Sequence, residues 1–389
     1  MKPLSALTES LSQNYIRSVT ARVNAVNGIN LGQGICDMPT PAPIKEGAKK
    51  AIDNDKSIYA PFGGIDPLKE HIVEKVKSFN RIPVSGGDNI LITAGSTGAF
   101  VNTIFALLDP GDEVIQFEPL YGYHSSILAL RDVVQKTVPL FPPTWDVDFE
   151  RLESVITPKT KAIVITTPNN PCGKVWSKQE LEQLADLLIK HDLYAITDEV
   201  YEYMTYNGRT HTSLAAIDGM FERTITLSSF SKTFNMTGWR LGYATGPETI
   251  IKKMGLLSDL FYICAPTPLQ FGLADGFATD YAYYEQLLQD YTRKRKRMCT
   301  TLEDCGFEVP WPEGAYYVFA SFKPLSNRPG FKDSEEACFT LIDEAGVGSV
   351  PGVSFYNNPD DGKYLLRFCF AKKEHELDEA CRRLEKFLG

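Results

Sequence analysis

An α/β fold built on a mostly parallel sheet is predicted by three features of the sequence. Short runs rich in Ile and Val do not alternate with polar residues, amphipathic helical stretches lie between them, and 389 residues exceed what one ordinary core holds. The runs are 89–93, 113–117, 162–166, 194–197, 224–228 and 241–245, each of a length suited to a strand covered on both faces. The stretch 178–191 is a representative helix. Ser177 stands before it with Glu180 three positions on, a capping box that satisfies otherwise orphan amides.

Beyond about residue 280 the pattern changes. A long polar helix runs through Arg297, strands are expected near 315–322 and 364–370, and helices at 334–345 and 374–388. This predicts a smaller α+β domain over 280–389, with 46–279 as the large domain. Residues 1–45 hold the turn-formers Gly32, Gly34, Pro39, Pro41 and Pro43, and are expected to form an arm and part of the small domain.

A net charge of −9 argues against nucleic acid or an anionic membrane as a partner. The one basic run, Arg293 to Arg297, reads as a solvated helix face. No segment approaches 18 uninterrupted apolar residues, and the opening MKPLSALTES lacks an apolar signal core, so a cytoplasmic protein is expected. The eight cysteines, among them Cys172, Cys264 and Cys369, show neither paired metal-ligand spacing nor a C-x-x-C motif. Reduced structural thiols and no metal site are the expectation.

Five stretches carry candidate chemistry. In SSFSKTFNMTGWR, Lys232 follows a strand among small and hydroxyl residues, with Arg240 eight positions later. Burial at a strand end disfavours the ammonium and suits a lysine acting as a nucleophile toward an aldehyde; a surface loop lysine is the plain alternative. In ITDEVYEYM, Asp198 ends an apolar strand three residues before Tyr201. A carboxylate at the ligand edge of a parallel sheet can keep a pyridine nitrogen protonated, although many such residues only cap helices. In ITAGSTGAF, Gly95, Ser96 and Thr97 open a helix whose amides and hydroxyls can meet an anion, or form a tight turn. In TTPNNPCGKV, Asn169 and Asn170 either make a turn or offer amides to a ligand. In YLLRFCFA, Arg367 sits inside an apolar strand and needs an anionic partner, either a ligand carboxylate or a structural ion pair.

In kind, order and spacing these motifs resemble the class I/II aminotransferases of pyridoxal-phosphate fold type I. The likeness runs from LGQGICDMPTP at Leu31 to the last strand. It is strongest to the branch holding kynurenine, glutamine, methionine and aromatic aminotransferases, where LGQG, YAPFGG-like, NNP-x-G-K-V and SFSKTF-x-MTGWR stretches occur. The resemblance implies a mostly parallel sheet of the seven-stranded type in a large cofactor domain, with a smaller α+β domain. It also implies pyridoxal 5′-phosphate as cofactor and a homodimer with shared active sites.

The roles follow the matching positions. Lys232 is the Schiff-base lysine, Asp198 pairs with the pyridine nitrogen, and Asn170 and Tyr201 approach the ring's phenolate oxygen. Gly95, Ser96, Thr97, Ser229 and Arg240 surround the phosphate, Tyr121 stacks on the ring, and Tyr59 reaches the neighbouring subunit's phosphate. Arg367 and Asn170, helped by the backbone near Gly34, take the substrate α-carboxylate.

The implied reaction is ping-pong transfer from an L-amino acid to a 2-oxo acid such as 2-oxoglutarate, with Lys232 moving the proton. A carbon–sulfur β-lyase or related fold type I enzyme, an aspartate-preferring transaminase and a non-enzymatic sensing domain are the competing readings. Two departures bear on the donor. Ile35 and Cys36 replace an aromatic and a proline near the expected side-chain pocket, and His124 stands where a less polar or tyrosine-like residue is common. Tyr15, Tyr121 and Ile35 point to neutral or aromatic donors.

Overall fold

The structure, a computed structural model, describes residues 2, 5, 15–277 and 281–389. Its principal sheet has seven strands: β2 (Ile90–Ala94), β3 (Glu113–Glu118), β4 (Val134–Pro139), β5 (Thr160–Thr166), β6 (Tyr194–Asp198), β7 (Thr224–Ser229) and β8 (Leu241–Thr245). Their order across the sheet is β2-β8-β7-β6-β5-β3-β4. All pairs are parallel except those of β8, which runs antiparallel to both β2 and β7. Residues of β2, β5, β6 and β7 are almost all buried, which is why these runs read as unbroken apolar sequence.

Six of these strands match the predicted runs to within two residues at each end. The seventh, β4, lies outside the predicted runs. It is an edge strand that pairs with β3 alone, and its polar Gln135, Lys136 and Thr137 are only half-buried. The capping box is present: Ser177 Oγ accepts from the Glu180 amide at 3.2 Å and Glu180 Oε2 from the Ser177 amide at 2.8 Å. The helix it starts spans Lys178–Lys190.

Near the chain's end, β9 (Tyr317–Ser321), β11 (Val350–Pro351) and β12 (Leu365–Cys369) form an antiparallel sheet in the order β11-β12-β9. Helices Ser334–Ala345 and Glu374–Leu388 pack with it around one apolar cluster that includes Phe322, Leu341, Phe368 and Leu384. β1 (Ile29–Asn30) pairs in parallel with β10 (Val347–Gly348), so an early segment of the chain joins this region. The helix Tyr281–Asp304 also lies against it, with Leu287, Tyr291 and Met298 in the same cluster. That helix corrects the reading of the basic run, because Lys294 and Arg295 are buried and only its other members meet solvent. Arg295 lies between the rings of Tyr206 and Trp311, 4.9 Å from each centroid. All eight cysteines are free thiols. Among the described residues, no helix is long and apolar enough to cross a membrane.

Candidate active site

Strand direction decides which residues meet. β2, β3, β5, β6 and β7 point the same way, so their last residues share one edge of the sheet. β8 runs oppositely and therefore brings its first residue, and Arg240 just before it, to that edge. Asp198 ends β6, Ser229 ends β7, Gly95 follows β2 and Asn170 lies four residues beyond β5. The sheet thereby gathers residues separated by more than a hundred positions at its carboxyl edge, where α/β folds bind ligands.

Lys232 lies in the short helix Phe230–Thr233 directly after β7. Its Nζ donates to the Gly34 carbonyl at 3.1 Å, and it lies 5.9 Å and 5.6 Å from the ring centroids of Tyr201 and Tyr316. Burial lowers its pKa, and the Arg367 charge adds to the effect. Cys36, Cys369 and Asp198 work in the opposite direction without restoring it.

Asp198 is buried, and its Oδ2 is 3.2 Å from His124 Nε2. The His124 ring stacks on Phe100 at 4.2 Å and meets the Tyr121 ring edge-on at 5.2 Å. His124, a departure from the family pattern that was expected to bear on donor preference, thus lies against the carboxylate at the end of β6. The available signal was its position three residues after Tyr121 on the helix Gly122–Leu130.

The Gly95 loop is shaped around Arg240. Gly95 has φ +72°, and a Cβ there would lie 2.3 Å from Arg240 Nη2, so only glycine admits the guanidinium. A Cβ on Gly242 would lie 2.6 Å from the Ser96 amide nitrogen, which makes Gly242 a second requirement of the same cradle. Ser96 and Thr97 occupy the first turn of the helix Gly95–Leu107. Ser229 Oγ accepts from the Ser231 amide at 3.1 Å and donates to the Leu241 carbonyl, also at 3.1 Å.

Arg367 is 1% exposed, yet its partners are neutral. Nη1 donates to Asn170 Oδ1 at 2.8 Å and Nη2 to the Gly32 carbonyl at 2.5 Å, while Nε has no acceptor among the described residues. The two asparagines of the NNP motif divide the work. Asn169 Oδ1 receives the Cys172 amide at 3.1 Å and so shapes the turn, which leaves Asn170 for Arg367. Tyr201 places its hydroxyl 3.1 Å from that of Tyr317, and burial raises its pKa well above the ordinary value. Tyr121 is likewise raised by burial. Tyr59 is not with the others: it is 79% exposed and faces away from its own chain's core.

Beneath this edge is a buried polar cluster that the sequence did not reveal. Lys75 Nζ lies 2.5 Å from Glu202 Oε1 and donates to Asn80 Oδ1 at 2.7 Å and Tyr243 at 3.0 Å. Glu199 accepts from Ser213 at 2.5 Å and lies 2.8 Å from His211 Nε2. Glu199, Glu202 and His211 have a metal-compatible arrangement, and the Lys75 ammonium already supplies a cation there.

The family profile described as aminotransferase class I and II matches residues 26–384, nearly the whole chain. The chain belongs to the class I and II aminotransferases. It is therefore a transaminase, and its fold is that of the pyridoxal-phosphate fold type I enzymes. An aromatic-amino-acid aminotransferase of Thermococcus litoralis is 35% identical over 389 residues, covering 99% of this chain and 98% of the relative. An aspartate aminotransferase of Pyrococcus abyssi is 36% identical over 363 residues, covering 92% and 91%. The solved Escherichia coli structure reported to have a methionine aminotransferase function superimposes with a TM-score of 0.94 at 30% identity, covering 99% of this chain and 100% of that one.

Proposed function

We propose that this aminotransferase holds pyridoxal 5′-phosphate on Lys232 and transfers the amino group of a neutral or aromatic L-amino acid to a 2-oxo acid such as 2-oxoglutarate. The donor set fits the cofactor. Gly95 and Gly242 let the Arg240 guanidinium and the Ser96 backbone pack closely, which gathers the Ser96 and Thr97 amides and hydroxyls with Ser229 and Arg240 where a phosphate would be held. Asp198 faces the edge-bound ring from the end of β6, and Tyr121 offers an aromatic face beside it.

When bound, the cofactor supplies an electron sink that stabilises negative charge at the substrate α-carbon. The chain's own groups do the rest. Lys232, neutral more readily than an exposed lysine because of its burial, would take the proton from the substrate α-carbon and hold it at Nζ for return. Asp198 keeps the ring nitrogen protonated, with His124 holding its carboxylate in place. Tyr201 and Asn170 meet the ring oxygen. Arg367 takes the substrate carboxylate, which fixes the direction of the Cα–H bond relative to Lys232. Each half-reaction uses the same groups in reverse, so the kinetics are ping-pong.

The observation that carries this reading is Arg367, a buried cation bonded only to neutral acceptors and near enough to Lys232 for its charge to lower the lysine's pKa. An anionic ligand completes its charge balance.

For the donor side chain, Val19 packs against Gly32, and Tyr15 lies one turn earlier on the same helix. The Tyr15 hydroxyl is bonded to the Glu335 carboxylate, which together with burial pushes its pKa up to about 12. No second cation is assigned to meet the side chain of a dicarboxylic donor, whereas a neutral side chain gains about 1 to 3 kcal/mol on leaving water. Names of relatives point both ways on this, to aromatic and to aspartate donors.

Two-fold assembly belongs to the same proposal. Ile58 and Tyr59 are exposed together with Leu256, Leu260 and Ile263, an apolar group expected to be covered by a second copy whose phosphate site Tyr59 completes.

The test is half-reaction spectroscopy with a panel of amino acids, following loss of the visible band, with borohydride labelling of Lys232. Neutral donors are expected to exceed aspartate in kcat/KM. Aspartate tenfold ahead overturns the donor assignment, and label on another lysine overturns the cofactor assignment.

A further inference from the structure

Tyr317 has no assigned part in the site, yet it touches three of its members. It lies on β9 opposite Cys369 of β12, two residues from the Arg367–Phe319 pair, and is buried. The Arg367 guanidinium lies over its ring, 4.5 Å from the centroid. Its hydroxyl is 3.1 Å from that of Tyr201. A Cβ on Gly34 would lie 1.9 Å from the same hydroxyl oxygen, so glycine is required for the tyrosine to sit there. The Gly34 carbonyl in turn accepts from both Lys232 and Tyr316, each at 3.1 Å.

We propose that Tyr317 is a positioning residue that couples the two ends of the site: its hydroxyl donates to Tyr201, and its ring supports Arg367. This rests on the pyridoxal-phosphate reading above. The polarity of the Tyr201–Tyr317 pair follows from hydrogen counting. A phenol has one hydrogen, and once Tyr201 gives its own to the cofactor's ring oxygen it must accept from Tyr317. A donor feeding the Tyr201 oxygen polarises its O–H and strengthens the bond Tyr201 makes onward. The ring acts separately, since its face offers the guanidinium a cation–π contact without neutralising it, so the charge stays available to a substrate carboxylate. Burial pushes the Tyr317 phenol up to about 12, which keeps its hydrogen in place across the working pH range.

The experiment compares the holoenzyme with Tyr317→Phe and Tyr317→Leu by titrating the visible band of the lysine-bound cofactor and by measuring amino-acid KM and kcat. The other groups facing Lys232, namely Asp198, Arg367, Cys36, Cys369, Tyr201 and Tyr316, are unchanged in both variants. In Tyr317→Phe a weaker Tyr201 bond leaves more charge on the ring oxygen, so the proton shared with the Lys232 nitrogen is held more tightly. The titration midpoint should rise by roughly 0.3 to 1 pH unit, the size expected from one modest hydrogen bond, while KM stays within about twofold. Tyr317→Leu should show the same rise and also a KM about threefold to tenfold higher, from loss of the face beneath Arg367.

An unmoved midpoint in Tyr317→Phe overturns the hydroxyl's role, and an unmoved KM in Tyr317→Leu overturns the ring's. If Tyr317→Leu does not fold, Tyr317→Phe still decides the hydroxyl's role, and Tyr317→Met, which also lacks the ring, replaces the leucine variant with the same KM outcome deciding the ring's. A wild-type protein without a visible band after cofactor addition overturns the functional reading itself, which a null result in the variants would leave standing.

Discussion

Replacing Arg367 with alanine removes a guanidinium that is 1% exposed and leaves two former partners, Asn170 Oδ1 and the Gly32 carbonyl, without their donor. The catalytic effect has a definite expected size. If a substrate carboxylate is the guanidinium's functional partner, the variant must hold that charge in a buried setting without its paired guanidinium. Breaking a buried pair from one side costs several kcal/mol, and allowing for water entering the truncated space gives about 2 to 4 kcal/mol. In kcat/KM this is a loss of roughly 30-fold to 900-fold. The assay is steady-state turnover with an amino acid and with the primary amine of the same side chain lacking its carboxylate. A large loss confined to the amino acid is expected, expressed mainly in KM. Arg367→Lys should fall between, because an ammonium keeps the charge but lacks the fork that reaches Asn170 and Gly32 together. Equal losses with amino acid and amine would show that the alanine variant merely distorts the pocket, and the carboxylate role would be refuted.

Lys232 makes a prediction in the cofactor-free protein. Its folded pKa is lowered from 10.5, so the unfolded chain binds that proton more tightly, and its destabilising contribution fades as pH rises from the lowered value toward 10.5. The gap in Tm between wild type and Lys232→Met should shrink over that window, and a gap independent of pH would contradict the burial argument. Lys75→Met leaves the Glu202 carboxylate buried beside Asn80 and Ser228 alone, so urea unfolding should show a loss of about 3 to 5 kcal/mol. Lys75→Met combined with Glu202→Gln should recover most of it, whereas a single variant as stable as wild type would contradict the pairing. Light scattering should give a dimer at assay concentration, and Tyr59→Phe should weaken cofactor retention through the loss of one phosphate donor; an active monomer would exclude the shared site.

Much of the sheet was legible because strands buried on both faces need continuous apolar sequence, as in Ile225, Leu227 and their neighbours. β4 was not, because an edge strand satisfies only one neighbour and tolerates Gln135, Lys136 and Thr137. Local motifs named the residues, but only the topology shows which of them meet. Asn169 and Asn170 are chemically identical; the resemblance singled out Asn170, and the turn geometry gives the physical reason by bonding Asn169 to Cys172 and Asn170 to Arg367. The His124–Asp198 contact was not legible because 74 positions separate the two residues, and only the fold brings the helix Gly122–Leu130 against the end of β6. Lys294 and Arg295 read as solvated because charge runs usually are, while here Tyr291 and Met298 draw their helix face into an apolar cluster. Tyr317 carried no signal at all, since an aromatic residue in a buried strand is ordinary.

Lys75 differs from Lys232 and Arg367 in the kind of partner it is given. Lys75 has a carboxylate at 2.5 Å, and although burial is the largest single influence on its pKa, Glu202 and its neighbours together outweigh it, so the net shift is upward. Lys232 and Arg367 receive instead a backbone carbonyl, an asparagine oxygen and aromatic faces. Neutral acceptors offset only part of the cost of removing a charge from water. For Lys232 the unmet part appears as a lowered pKa, which favours the free amine that chemistry at an aldehyde requires. For Arg367, whose guanidinium cannot shed its proton, the same shortfall would be met by the anion that the proposed role assigns to it. A permanent carboxylate beside either group would remove its proposed function: Lys232 would be held as an ammonium, and Arg367 would already be paired when the substrate arrives.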